Sequence, residues 1–236
     1  MGGNVPLFVI LTLFPDAVLA YARESILGLA QDKGLIKILP VDLRDFTRDR
    51  HRTVDDRPFG GGPGMLLKPE PIVEAVEWLE ARHGVFRKFA LCPSGPVFRQ
   101  SKARELAAEE RLLFLCGRYE GFDERVRRLV AFEDLSLGDF VLAGGELPAL
   151  AITEAISRLL PGVLGHEDSP LQESFQHDDL LDCPHYTRPR QWRGLEVPEV
   201  LLNGDHSAIE QWRLRAAREK TSLRGLGALP NNSTPH

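Results

Sequence analysis

A chain of 236 residues, 43% of them hydrophobic, with a formal net charge of −5, has apolar material for one large domain or a main domain with a small appendage. That composition excludes a disordered or coiled-coil chain. The mild acidity excludes indiscriminate polyanion binding. Three widely spaced cysteines, Cys92, Cys116 and Cys183, form no C-x-x-C pair, so neither a disulfide framework nor a thiolate zinc site is indicated and a reducing, cytoplasmic setting is expected.

In chain order, the apolar run VPLFVILTLF is about half as long as a bilayer span and predicts a buried strand over 5–13 rather than a membrane segment. A helix over 16–29, opened by Pro15-Asp16, and a strand over 35–41 follow. Residues 42–65 then form a long polar, glycine-rich excursion. Beyond it the pattern predicts a helix over 69–81, a strand over 86–92, a helix over 102–108, a strand over 112–116, a helix over 123–129, a strand within 135–142 and a helix over 148–160. Strands alternating with helices define an α/β class with a mostly parallel sheet. Pro161-Gly162 stops the last helix, and the polar, aperiodic stretch 165–179 reads as a linker. The tail holds one clear helix, opened by the capping-box pattern Ser207-Ala-Ile-Glu210, while 231–236 reads as a frayed end. The expected organisation is a main domain over 1–164, a linker over 165–180 and a small helical domain over 181–236.

Three stretches carry chemistry. The excursion packs five arginines and four aspartates into 44–57, followed by GGGPG. It matches neither a P-loop nor a dinucleotide fingerprint, and a loop of this length is expected to be functional. In SLGDFVLAGGELPA (136–149), the adjacent Gly144 and Gly145 call for close approach to the backbone, as a plain turn or as a ligand surface. Between Cys183 and Arg224, eight basic residues against five acidic ones leave a local +3, with Trp192 and Trp212 in the same segment. Cations for phosphate and flat rings for bases suit nucleic acid; a solvated helix over a small core is the alternative.

Taken together, FTRDRHRTVDDRPFGGGPGM (46–65), LCGRYEGFDERV (115–126), SLGDFVLAGGELPA, PGVLG (161–165) and LLDCPHYTRP (180–189) resemble the bacterial tRNA (guanine-N1)-methyltransferases of the TrmD type. That family methylates guanosine 37, just 3′ of the anticodon. The resemblance implies a SPOUT fold with a deep trefoil knot, an obligate homodimer, S-adenosylmethionine as methyl donor and the tRNA anticodon stem-loop as partner. Dependence on Mg2+ is implied by resemblance only, since His166 and His177 make no recognisable ligand set.

The resemblance places the methyl donor at Leu91, Cys92, Pro93 and Gly95, at Gly117, Arg118, Tyr119 and Glu120, and along Ser136, Leu137, Gly138, Phe140, Leu142, Gly144, Gly145 and Pro148. Serine is common in the family where Cys92 stands, and tyrosine where Phe140 stands. Asp55, Arg57, His185, Tyr186 and Arg188 are the implied substrate contacts. Guanine N1 carries a proton, so methyl transfer to it needs a general base, with a cation near O6. Arg158 matches the cation by position. Glu173 matches the base, where most members carry aspartate; Asp168 in the same linker is the competing carboxylate. Two other readings accompany this one: a SPOUT-type methyltransferase acting on another RNA, and an inactive RNA-binding homologue, against which the presence of both catalytic groups counts.

Overall fold

The computed structural model describes residues 4–165, 173–175 and 180–225. The chain divides into two compact units, 1–166 and 167–236. The linker residues His166, Asp168 and His177 and the expected frayed end lie outside the described residues.

The first unit begins with β1 (Leu7–Thr12), α1 (Pro15–Ala22), α2 (Ser25–Asp32) and β2 (Lys37–Asp42). A two-residue ribbon, β3 (Asp55–Asp56) against β4 (Leu66–Leu67), closes the glycine-rich excursion. Then come α3 (Pro69–His83), β5 (Arg87–Leu91), α4 (Gln100–Leu106), β6 (Arg111–Cys116), α5 (Arg125–Leu129), β7 (Glu133–Leu135) and α6 (Glu146–Ser157). The five longer strands form one parallel sheet in the order β2-β1-β6-β5-β7.

The central strands read as unbroken apolar runs because helices cover both faces of the sheet. Side chains alternate with the pleat. Phe8, Ile10, Phe114 and Cys116 join one core cluster with Val18, Leu27, Ala103, Ile152 and Ile156 from α1, α2, α4 and α6. Val9, Leu11, Leu113 and Leu115 join the other with Ile72, Val76, Leu79 and Val126 from α3 and α5. In register, Leu91 pairs with both Cys116 and Leu135, so β5, β6 and β7 end level and the loops leaving them emerge along one edge.

Three local expectations are corrected. The helix expected over 16–29 is two helices, broken where Ser25 takes φ 51°; a Cβ at Gly28 would lie 2.6 Å from the Arg23 carbonyl carbon, so Gly28 lets α2 fold back on the break. The strand expected within 135–142 ends at Leu135, because the Ser136 hydroxyl turns the chain by bonding both the N–H and the C=O of Gly138. Ser207 does not cap the last helix. Asp205 does, its carboxylate accepting from the Ala208 N–H at 3.1 Å, and α7 (His206–Leu223) follows.

Besides α7, the second unit holds a ribbon that periodicity could not reveal, β8 (Gln191–Trp192) against β9 (Leu195–Glu196). Its turn residues Arg193 and Gly194 both have positive φ, as a tight hairpin requires. Among the described residues of the second unit, Leu181, Cys183 and Ala217 are the buried apolar ones, and the Leu181 N–H donates to Thr221 Oγ1 on α7 at 2.9 Å. No helix among the described residues is long and apolar enough to cross a membrane.

Candidate active site

A cleft of about 450 Å³ opens where β5, β6 and β7 end together. Ligands of open parallel sheets bind in such a place, beyond the carboxyl ends of the strands, and the volume suits a nucleoside-sized molecule. Its walls are Leu91–Ser94 after β5, Gly117–Phe122 after β6 and the stretch from Leu135 to Gly145 after β7, with Pro148 contributed by α6. Every residue expected at the methyl donor lines this cleft except Gly95. A Cβ at Gly95 would lie 2.5 Å from the Leu135 nitrogen, so this glycine seats the turn after β5 against β7.

The glycines have two different reasons. A Cβ at Gly145 would fall 2.6 Å from Cys116 Cα, one at Gly138 would run into the Phe140 ring at 2.7 Å, and one at Gly144 would overlap the Arg118 guanidinium and lie 2.6 Å from Glu146 Oε2. Protein, not ligand, comes this close. Gly117 differs: its Cβ would meet only the Leu91 carbonyl, at 3.8 Å, leaving the space beside it to whatever the cleft holds. Neighbouring Tyr119, half exposed, takes φ 59°, an uncommon conformation for a non-glycine residue and one that concentrates at functional sites.

One ion pair organises the cleft floor. Glu146, 5% exposed, accepts from Thr12 Oγ1 at 2.6 Å and from Arg118 Nη2 at 2.8 Å. Burial, and then the Glu146 charge, push the Cys116 thiol well above its usual range, so it stays protonated and inert beneath the floor. Sequence reasoning missed Phe122, Glu124 and Arg127 as lining residues. The Arg127 guanidinium pairs with Asp134, stacks 4.8 Å from the Phe122 ring centre and comes within 4.0 Å of Cys92 Sγ. Phe122 and Glu124 lie in the stretch 115–126, legible as a motif, and Arg127 lies just beyond it, but nothing in the pattern showed which side chains turn inward.

The excursion reaches this cleft. Gly60, Gly61, Gly62 and Gly64 all have positive φ, and a Cβ at Gly64 would strike the Glu120 side chain, 2.5 Å from Cγ. The Glu120 N–H donates to the Met65 carbonyl at 3.0 Å. Asp55 sits in β3 paired with Leu67, and Arg57 just beyond it is exposed. Arg158 caps the C-terminus of α6 in the first unit, its N–H donating to the Glu154 carbonyl at 3.0 Å.

The remaining expected residues belong to the second unit. Glu173 is half-buried beside Ser174, whose Oγ accepts from the Asp182 N–H at 3.0 Å, and Phe175, whose ring lies 5.5 Å from the Arg224 guanidinium. His185, Tyr186 and Arg188 are exposed, with His185 Nε2 2.7 Å from Asp182 Oδ2 and the Tyr186 ring 6.2 Å from that of Trp212. Burial alone would raise the Asp182 carboxyl; the His185 bond and the Cys183 N–H outweigh it and hold the group below its usual range. Asp182, Cys183 and His185 bring possible metal-ligand atoms within 4.8 Å of one another, a grouping the sequence reading did not anticipate. Within this grouping Asp182 and His185 are hydrogen-bonded to each other.

A parallel α/β sheet with a nucleoside-sized cleft built from glycine loops at its carboxyl edge has the architecture of an α/β ligand-binding protein, and the matches that follow make that fold SPOUT-like. The family model described as tRNA (Guanine-1)-methyltransferase TrmD matches residues 7–229, and the chain belongs to that family. It is 49% identical over 222 residues to the tRNA (guanine-N(1)-)-methyltransferase of Bacillus licheniformis, covering 94% of this chain and 91% of that protein. It is 51% identical over 215 residues to the enzyme of the same name from Carboxydothermus hydrogenoformans, covering 91% and 84%. Among solved structures, the tRNA (m1G37) methyltransferase of Aquifex aeolicus superposes with a TM-score of 0.78 at 41% identity, covering 96% of this chain and 95% of that one.

Proposed function

We propose that the protein transfers the methyl group of S-adenosylmethionine to N1 of guanosine 37 in tRNA, with Glu173 as general base and Arg158 as the cation that stabilises charge developing on O6. The observation that carries the reaction is the family match across residues 7–229. The cleft fits the donor on three physical counts. Its volume suits a nucleoside, Gly117 leaves open a space that a side chain would fill, and Glu120 and Glu124 place carboxylates in the lining that suit a sulfonium cation. Bound there, S-adenosylmethionine supplies an electrophilic methyl group.

The chain's own residues do the rest. Loops 91–94, 117–122 and 135–145 hold the donor and exclude water from it. Glu173 takes the N1 proton as the ring nitrogen attacks, and the Arg158 guanidinium balances negative charge passing to O6. Asp55, Arg57, His185, Tyr186 and Arg188 hold the tRNA, the last three on a unit whose surface carries the basic residues and exposed Trp192 suited to RNA.

The finer architecture is part of the same proposal: the loops after β6 and β7 form a deep trefoil knot, and two copies pair as a homodimer with composite sites in the cytoplasm. The main domain over 1–164 binds the donor, 165–180 is the linker that carries the base, and 181–236 binds tRNA. The test is incubation with methyl-labelled S-adenosylmethionine and tRNA transcripts carrying guanosine or adenosine at position 37. Label entering only the guanosine transcript supports the reading; label that ignores the base change, or no label at all, refutes it.

A further inference from the structure

We infer that Thr12, at the carboxyl end of β1 and absent from every motif of the site, is a positioning residue for methyl-donor binding that acts through Glu146 on Arg118. The inference rests on the reading of the cleft as the S-adenosylmethionine site.

Glu146 is the one buried carboxylate among the described residues, and a buried charge must be fully partnered or it destabilises its surroundings. Arg118 supplies half of the pairing through Nη2 at 2.8 Å to Oε2 and Nε at 3.3 Å to Oε1. The other strong donor to Oε1 is Thr12 Oγ1 at 2.6 Å, from a residue with no exposed surface. The direction of this bond is set locally. The carboxylate that pairs with Arg118 can only accept, so the Thr12 hydroxyl donates its proton there while its oxygen accepts from the Phe14 N–H at 2.8 Å.

Phe14 then enters a second time. Its ring lies 4.3 Å from the Arg118 guanidinium carbon, while Arg118 Nη1 donates to the Ala143 carbonyl at 3.3 Å. The guanidinium is thus gripped by a carboxylate, an aromatic face and a main-chain carbonyl, lying so close to Gly144 that no side chain fits there. Arg118, Ala143 and Gly144 line the cleft. Thr12 therefore ties the end of β1, an interior strand of the sheet, to the two stretches, 117–118 and 143–146, whose spacing sets the cleft floor.

Without the hydroxyl, Oε1 keeps only the longer Arg118 bond in a dry site, and the carboxylate draws the guanidinium off the Phe14 ring and the Ala143 carbonyl. The consequence falls on the shape of the donor site and not on the proton transfer. Donor affinity should suffer and turnover at saturation should not.

The test compares Thr12→Val, which keeps the shape without the hydroxyl, with Thr12→Ser, which keeps the hydroxyl. S-adenosylmethionine binding is measured by calorimetry, and kcat and KM for the donor by methyl transfer. The valine variant should bind about tenfold more weakly and raise KM alike, with kcat within about twofold of the parent, and the serine variant should match the parent. In a Glu146→Leu background, which leaves no acceptor at 146, the valine substitution should add no further loss, since it acts through that carboxylate. Unchanged affinity in Thr12→Val, a serine variant as weak as valine, or additive losses with Glu146→Leu would overturn the inference. If Thr12→Val does not fold, Thr12→Ala carries the same comparison, and if neither folds the hydroxyl is a stability element and the inference is lost. A Gly117→Val protein that binds the donor as the parent does refutes the cleft assignment itself; normal binding in Thr12→Val with lost binding in Gly117→Val refutes only the role of Thr12.

Discussion

Gly145 lies so close to the backbone of Cys116 that a Cβ at 145 would fall 2.6 Å from the Cys116 Cα and 3.1 Å from its Cβ. The start of α6 is thereby pressed onto the end of β6, and main chain cannot retreat as a flexible side chain can. Gly145→Ala should cost about 1–3 kcal/mol, a fall in Tm of several degrees for a protein of this size. Thermal unfolding beside Gly165→Ala, where the added carbon meets nothing within 4 Å, isolates the effect. Equal stability of the two variants would show that α6 shifts freely on β6.

Gly117 should behave in the opposite way. A Cβ there meets only the Leu91 carbonyl at ordinary contact distance, so Gly117→Ala should leave Tm within about a degree while lowering S-adenosylmethionine affinity about tenfold or more by occupying donor space. Calorimetry and melting on the same sample decide it, and a loss of stability without loss of affinity would reverse the roles assigned to the two glycines.

This contrast marks where sequence reading stops. The glycines of 136–149 announced close approach, and the unbroken apolar runs of β1 and β6 announced a sheet covered on both faces, because both signals are local. Which atom approaches Gly145 is a tertiary fact: the answer lies at Cys116, at the end of β6. The same holds for the break at Ser25, which depends on how Gly28 packs on Arg23, and for Arg127, whose inward face depends on Asp134 and Phe122. The β8–β9 ribbon is too short to carry any period. Asp205 outcompeted the capping box at Ser207 because its carboxylate, not a hydroxyl, meets the first turn.

Arg87 joins Glu105, Glu109 and Glu133 in one cluster at the start of β5. The Arg87 hydrogen bond is the largest influence on Glu133 and holds its carboxyl below the ordinary 4.5, against the opposing effect of burial. A carboxyl depressed in the folded state contributes stability that is full above its unfolded value and is lost as pH falls through the folded one. Arg87→Met should therefore lower stability by about 1 kcal/mol at neutral pH, little because the glutamates are half exposed, and should flatten the acid limb below about pH 4.5. Urea unfolding at several pH values checks this, and parallel acid limbs in parent and variant would dissociate Arg87 from it.

A two-fold homodimer with composite sites predicts complementation. Gly117→Val disables the cleft and Glu173→Ala removes the base, so each protein alone should be inactive. In a mixed dimer, one of the two sites draws an intact cleft from one copy and an intact base from the other. Equal, fully exchanged mixtures should then recover about a quarter of parental activity, from half the dimers carrying one working site of two. Exchange verified by differently tagged copies with no recovered methyl transfer would place cleft and base in the same copy.

Glu173 should matter to turnover far more than to binding. A general base acts only as the N1 proton leaves, so Glu173→Gln should lower kcat by about 10²–10⁴ while calorimetric affinity for S-adenosylmethionine stays at the parent value. Glu173→Asp should retain substantial activity, because the shorter carboxylate preserves the same acid group. Higher pH should partly rescue the glutamine variant, since hydroxide can then assist ionisation of N1. The competitor is Asp168, whose placement lies outside the described residues. A Glu173→Gln protein that turns over at the parent rate beside an inactive Asp168→Asn would transfer the role of base to Asp168 and leave the reaction itself intact.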